Sequence, residues 1–198
     1  SDSAHGAGPA LSPAGPPAFA VADGGPFPGM GAADPSFAPD RFPIREAVPH
    51  MRQAGGGSIV NVSSAAALYP HGGLMAYGIA KVGLERLTLD VAKLCQGDQI
   101  AANVFRIDVP VASEGFVANT PGLDRSEWEP SEVAAEGIVY ILRQPPTFSG
   151  RRLSMYRMRH EFGIMPSRAA RPYTGAVPPE NLFEGLAGER ENPFAEPY

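Results

Sequence analysis

The stretch that most constrains the fold is residues 58–64, SIVNVSS, which lies between three glycines at 55–57 and a long helical pattern. Seven residues rich in β-branched side chains, with apolar positions on both parities, predict a strand buried on both faces. A helix is predicted from Ala76 to Cys95, where Leu84, Leu87, Val91 and Leu94 recur at spacings of three and four. Glu85, Arg86, Asp90 and Lys93 fall on its other faces, and Gly97 and Asp98 end it. IAANVFRI (100–107) predicts a second buried strand, PSEVAAEGIVYILRQ (130–144) a helix opened by Pro130, and RRLSMY (151–156) a third strand. Strands and helices alternating at these lengths imply an α/β fold, with a parallel sheet joined by crossover helices.

The flanks have a different texture. Residues 1–39 are rich in Pro, Gly, Ala and Ser, with no apolar period long enough to bury a face, and are expected to form an extended arm. From Asp40, DRFPIREAVPHMRQAGGG offers an N-cap and then Ile44, Val48 and Met51 at helical spacing. Pro43 belongs in the first turn of that short helix, and Pro49 should kink it. After about residue 158 order is expected to be lost again in a proline-interrupted tail. The expected organisation is therefore an arm at 1–39, an α/β domain at 40–157 and an irregular tail at 158–198.

Composition narrows the function classes. A formal net charge of −5 argues against nucleic acid or an anionic membrane surface as partner, since both select cationic proteins. The single cysteine, Cys95, excludes an internal disulfide and a cysteine-based zinc site within one chain, and is expected to be a small buried side chain. His50, His71 and His160 lack metal-ligand spacing. There is no apolar run of spanning length and no basic-then-apolar leader at the start, so a cytoplasmic location is expected. Ser1 is what removal of an initiator methionine would leave, which suits a natural start.

The candidate chemistry lies where the first strand gives way to the helix. A tyrosine phenol ionises near pH 10, so it serves as a general acid or base at neutral pH only if a neighbour favours the phenolate. Lys81, one helical turn after Tyr77 on the same face, is placed to supply that positive charge. Ser64, at the end of the strand, is placed to hydrogen-bond a carbonyl or alcohol oxygen beside the phenol. The three together suit proton transfer in a carbonyl and alcohol pair.

GGGSIVNVSS followed by YGIAK, with thirteen residues from Ser64 to Tyr77, resembles the active-site region of the short-chain dehydrogenases/reductases. REAVPHMRQAGGG is similar to the helix before that strand, AANVFRIDVPVASEGF to the next strand and its substrate loop, and EPSEVAAEGIVYILRQPPTFSGRRLSM to the last helix and strand. The resemblance covers roughly residues 40–156 and implies the C-terminal part of a Rossmann-like doubly wound sheet, with Ser64, Tyr77 and Lys81 as the catalytic trio. It also implies NAD or NADP as cofactor, with the N-terminal dinucleotide-binding half missing. The best candidate for the family's glycine-rich turn, Gly25, Gly29 and Gly31 in GGPFPGMG, follows a poor strand (AFAVAD), is interrupted by Pro26 and Pro28, and reads as coil. No cofactor is therefore expected to be held by this chain alone. Ser36 falls where the family usually has a catalytic asparagine. Asp108 and Val109 replace the Pro-Gly of the loop in which Val111 and Ser113 would contact a nicotinamide amide.

Without that half, the strand ending at Ser64 should expose an edge that the arm or a second chain must cover. The helices at about 41–54 and 76–95 are the ones family members use to associate. The leading expectation is an accessory or structural subunit, a pseudoenzyme that joins a full-length family member or another complex component. The alternative is a catalytic subunit of an NAD(P)-dependent oxidoreductase whose dinucleotide half comes from another chain. Glu114, Phe116 and Asn119 are candidate pocket residues and Trp128 a packing residue. The arginines at 151, 152, 157, 159, 168 and 171 form a solvated face or a site for an acidic partner or phosphate.

Overall fold

The computed structural model describes residues 18–23, 43–70, 72–171 and 173. In order they form β1 (Ala18–Asp23), α1 (Pro43–Gln53), β2 (Gly57–Ser64), α2 (Met75–Leu94), β3 (Ile100–Ile107), β4 (Val111–Ala112), α3 (Glu114–Asn119), β5 (Glu129–Pro130), α4 (Ser131–Leu142), β6 (Arg152–Ser154) and α5 (Met155–Phe162). Four strands make one sheet in the order β1-β2-β3-β6, every neighbouring pair parallel. β4 and β5 form a separate two-stranded parallel pair. This is the partial Rossmann-like α/β sheet implied by the sequence.

Alternation along the strands divides the core in two. Ile59, Ile100 and Ala102 point to one side, against Ile44, Val48 and Met51 of α1 and Val91, Ala92 and Cys95 at the end of α2. Val60, Phe105 and Leu153 point to the other, against Val133, Ala134 and Ile141 of α4, Met155 and Met158 of α5, and Met165. Cys95 is fully buried, and burial pushes its thiol above the ordinary value. Pro43 opens α1, where a missing N–H leaves no helix bond unmade, and Pro49 lies within the same helix. Asp40, the expected cap, lies outside the described residues.

Three expectations are corrected. AFAVAD, read as a poor strand, is a strand: Ala18–Asp23 runs parallel to β2, from Ala18 opposite Gly57 to Asp23 opposite Val62, so the arm covers the edge, one of the two alternatives expected. A weak strand-former is recruited here because the ladder supplies backbone partners that its own side chains need not provide. The third strand is only Arg152–Ser154, because Ser154 caps α5 by accepting from the Arg157 N–H at 3.1 Å. Order also continues past residue 158. Met158 and Met165 are both 1% exposed, and the buried Glu129 carboxylate accepts from Arg159 at 2.9 Å and from the Arg168 N–H at 2.8 Å. Burial opposes ionisation of Glu129, but Ser167, the Arg168 N–H and the Arg159 charge together hold its carboxyl below the usual range.

α4 approaches the sheet closely at Gly137. A Cβ there would lie 2.6 Å from Met165 Sδ and 2.7 Å from Phe105 Cζ, and the Phe105 ring is fully buried. Gly137→Ala is therefore expected to lower stability by about 1–3 kcal/mol, the usual cost of overpacking, despite alanine's better helix propensity. A urea midpoint at or above that of the unsubstituted protein would show that the core yields at this position.

Candidate active site

Sequence alone places Ser64, Tyr77 and Lys81 on adjoining elements, and the structure shows how those elements are fastened. Ser64 ends β2 and caps the following 3-10 turn, Ala65–Ala67, its Oγ accepting from the Ala66 N–H at 3.2 Å. The first turn of α2 lies directly on that turn, and a Cβ on Gly78 would come within 2.9 Å of the Ala66 carbonyl oxygen. Only glycine lets the backbone beside Tyr77 come this near to the segment that follows Ser64.

Lys81 is 3% exposed, and its ammonium donates to the Val62 carbonyl oxygen at 2.9 Å. The same ammonium lies 5.3 Å from the centroid of the Tyr77 ring, within range of a cation–π contact. Val62 is two residues before Ser64, so this one lysine ties the strand end to the tyrosine turn. The arrangement puts a half-buried phenol, a buried cation and a serine hydroxyl at the C-terminal end of the strand.

Beneath the trio lies a polar network that the sequence reading missed. Glu85 is 7% exposed rather than on an outer face. Its carboxylate accepts from Ser63 Oγ at 2.7 Å and from Arg106 Nε and Nη2 at 2.9 and 2.7 Å. The Arg106 guanidinium is buried within β3. Further along, Asn61 Nδ2 donates to Thr88 Oγ1 at 2.7 Å, and Thr88 Oγ1 donates to the Leu84 carbonyl oxygen at 2.7 Å. The buried face of α2 is thus Lys81, Glu85 and Thr88 followed by Val91 and Ala92, whereas Leu94, expected inside, is 72% exposed. The signal was present in the sequence: Asn61, Ser63 and Arg106 interrupt apolar strands and need partners, and Lys81, Glu85 and Thr88 recur at the matching helical spacing.

The loop after β3 is committed to structure. The Asp108 carboxylate is buried, accepts from the Ser154 hydroxyl, and accepts from the Tyr156 N–H at 2.9 Å. Burial is the main influence on this carboxyl and raises it above the ordinary aspartate value, against those hydrogen bonds and the Arg106 charge. Val111 pairs with Glu129 in the small sheet and packs against the core. Ser113 is exposed and caps α3, its Oγ accepting from the Phe116 N–H at 3.3 Å. Of the three candidate pocket residues on α3, Phe116 stacks on Trp128 with centroids 4.9 Å apart, and Asn119 Nδ2 donates to the Gly115 carbonyl oxygen. Gly25, Gly29, Gly31, Ser36 and His71 lie outside the described residues. Among the described residues no group of three His, Cys, Asp or Glu side chains could hold a metal ion, and no helix is long and apolar enough to cross a membrane.

Residues 42–110 match the family model described as short chain dehydrogenase. Over that segment the chain is similar to the short-chain dehydrogenases. It is 29% identical over 136 residues to the short chain dehydrogenase ausX of Aspergillus calidoustus, covering 69% of this chain and 51% of that protein. It is 42% identical over 64 residues to the probable galactose dehydrogenase GalD of Rhizobium meliloti (strain 1021), covering 32% of this chain and 25% of that one. The chain thus spans at most about half the length of these relatives. A solved short chain dehydrogenase/reductase family protein shares the fold with a TM-score of 0.56 at 22% identity, over 69% of this chain and 64% of that one. ElxO with NADP bound gives a TM-score of 0.50 at 20% identity, over 57% and 50% respectively.

Tyr77, Lys81 and Ser64 bring a phenol, an ammonium and a hydroxyl to one end of β2, and the glycines of the candidate phosphate turn are among the residues not described.

Two measurements probe this architecture. Arg106→Met leaves the Glu85 carboxylate buried without its guanidinium and should cost about 3–5 kcal/mol, while adding Glu85→Leu should restore most of that loss. Additive losses in urea titrations would mean the two side chains do not act as a pair. For Asp108, the folded-state pKa stands above the ordinary 3.8, so the folded chain binds the proton more tightly. The resulting stabilisation is fully present below the unfolded value and is lost as pH rises through the folded one. Asp108→Asn should remove that slope, and parallel stability curves for the two proteins across acidic pH would refute it.

Proposed function

We propose that this chain supplies the proton-relay side of an NAD(P)-linked alcohol/carbonyl oxidoreductase, and that the dinucleotide-binding side comes from another chain of an assembly. The observation that carries this reading is the placement of the buried Lys81 ammonium against both the Tyr77 ring and the strand end that leads to Ser64. Hydride acceptance or donation would be the cofactor's contribution when bound. The chain's own residues would manage the proton. Tyr77 exchanges one with the substrate oxygen, Lys81 lowers the energy of the phenolate by its charge, and Ser64 donates a hydrogen bond to the same substrate oxygen.

Assembly would use α2. Met75, Ile79 and Val82 are exposed at helical spacing along one face of that helix, 66%, 59% and 36% accessible respectively. The occupant proposed for this face is a full-length short-chain dehydrogenase/reductase-like subunit.

A second reading, an accessory subunit in which the trio is inherited but idle, is favoured by the loop after β3. There Val111 belongs to a strand pair and the Ser113 hydroxyl to a helix cap, so the two residues expected to touch a nicotinamide already have structural duties.

The test is NAD(P)H oxidation with a panel of ketones and aldehydes, measured on the assembly purified from its own source. Tyr77→Phe should lower the rate by roughly 100-fold or more with the mass of the assembly unchanged. If the rate stays the same while Ile79→Glu dissociates the assembly, the accessory reading replaces the catalytic one.

A further inference from the structure

The proton relay uses Lys81 and leaves unused the two charged side chains buried next along the same seam. Glu85 follows Lys81 by one helical turn on the buried face of α2, and Glu85 and Arg106 are 7% and 2% exposed. Arg106 Nε donates to Glu85 Oε1 at 2.9 Å and Nη2 to Oε2 at 2.7 Å, so guanidinium and carboxylate meet in a two-bonded fork. Ser63 Oγ adds a third bond to the carboxylate, at 2.7 Å. Ser63 in turn joins Val62, whose carbonyl oxygen accepts from Lys81, to Ser64. The ion pair therefore bears on the same short stretch of strand as the trio.

Two charges taken out of water are costly, and apolar side chains of similar volume would pack there without that cost. Aliphatic groups already fasten the other half of α2. Charges, unlike aliphatic groups, fix the potential at a titrating neighbour. Among the described side chains, few others act on the first half of α2. β2 and the 3-10 turns Ala65–Ala67 and Gly72–Leu74 carry no charged or titratable group, β3 carries only Arg106, and Tyr69 and Asp108 lie in the loops that follow. Asp108 is engaged by Ser154 and the Tyr156 N–H, and feels the Arg106 charge.

We propose, on the proton-relay reading above, that Glu85 and Arg106 are positioning residues whose opposite charges cancel, so that of the three buried charges only Lys81 acts on the Tyr77 phenol. Glu85 without its partner would oppose the phenolate, and Arg106 without its partner would favour the phenolate while repelling Lys81. Matched, they hold the register of the helix and leave the effect of the lysine intact. Glu85 lies just over two turns beyond Tyr77, about 12 Å along the helix, where one unmatched charge in a partly buried site moves a titration by about one pH unit.

An alkaline titration of phenolate absorbance in the full chain reads this directly, with the curve of Tyr77→Phe subtracted so that the difference reports Tyr77. Carboxylates and guanidiniums carry their charge throughout that range. Glu85→Gln, which keeps an acceptor for Arg106 and Ser63, should lower the midpoint by about one pH unit, and Arg106→Gln should raise it by about as much. Either shift alone supports the pairing, so the test survives if one variant folds poorly. Glu85→Leu with Arg106→Met should bring the midpoint back to within about 0.3 of the unsubstituted chain. A pair that serves packing alone would move neither single variant, or both in one direction, and either result would overturn charge matching. Lys81→Met distinguishes this from failure of the relay itself. If Lys81→Met raises the midpoint while the Glu85 and Arg106 variants leave it in place, the relay stands and charge matching is overturned. A midpoint indifferent to Lys81→Met overturns the relay, and charge matching with it.

Discussion

The contact on which the rest of this structure depends is the polar seam between α2 and β2. Most helices dock on a sheet through aliphatic side chains, which tolerate sliding because dispersion contacts are not directional. Here the first half of α2 docks through Lys81 to the Val62 carbonyl, Glu85 to Ser63 and Arg106, and Thr88 to Asn61. Hydrogen bonds of this kind are directional, and a buried group left without its partner is costly, so the helix has one register that satisfies all of them. A shift of one residue would turn the buried charges away from their partners. Register matters because Tyr77 is one turn before Lys81 on the same helix and Ser64 one residue after Ser63 on the same strand.

The second half of the helix uses ordinary packing, with Val91 and Ala92 joining Ile44, Val48 and Met51 over Ile59 and Ile100. Apolar burial thus supplies adhesion at one end of α2 and the buried ion pair supplies alignment at the other. Buried pairs add little net stability once desolvation is counted, which suits a role in positioning better than one in holding the fold together. Glu129 does comparable work at the far side of the sheet, where it fastens α5 and the segment through Arg168 against α4.

Much of this was legible in the chain. β2, β3, α2 and α4 follow from runs of β-branched residues and from helical periodicity, and their parallel order follows from their alternation. The closeness of Lys81 to Tyr77 was legible because residues four apart share a helix face. Other features were not. AFAVAD has little strand propensity, and Ala18–Asp23 becomes a strand only because β2 offers a ladder edge. RRLSMY looks uniform, yet the Ser154 side chain caps a helix and divides it. Glu85 looked like a surface residue because acidic residues usually are, and its burial depends on Arg106 arriving from another element.

The order of strands and helices, the two-sided burial of β2 and β3, and the spacing of Ser64, Tyr77 and Lys81 are local properties, readable because periodicity and chemistry act over a few residues. Which polar groups are buried together is not local. Arg106 and Glu85 are 21 residues apart, and Asp108 meets Ser154 across 46. In the arginine-rich segment, Arg159, Arg168 and Arg171 each meet carboxylates from distant turns. Such partnerships are set by the packing of the sheet and its helices, because the energy of a buried charge depends on what lies within a few ångströms of it, and the chain brings those neighbours together only when it folds.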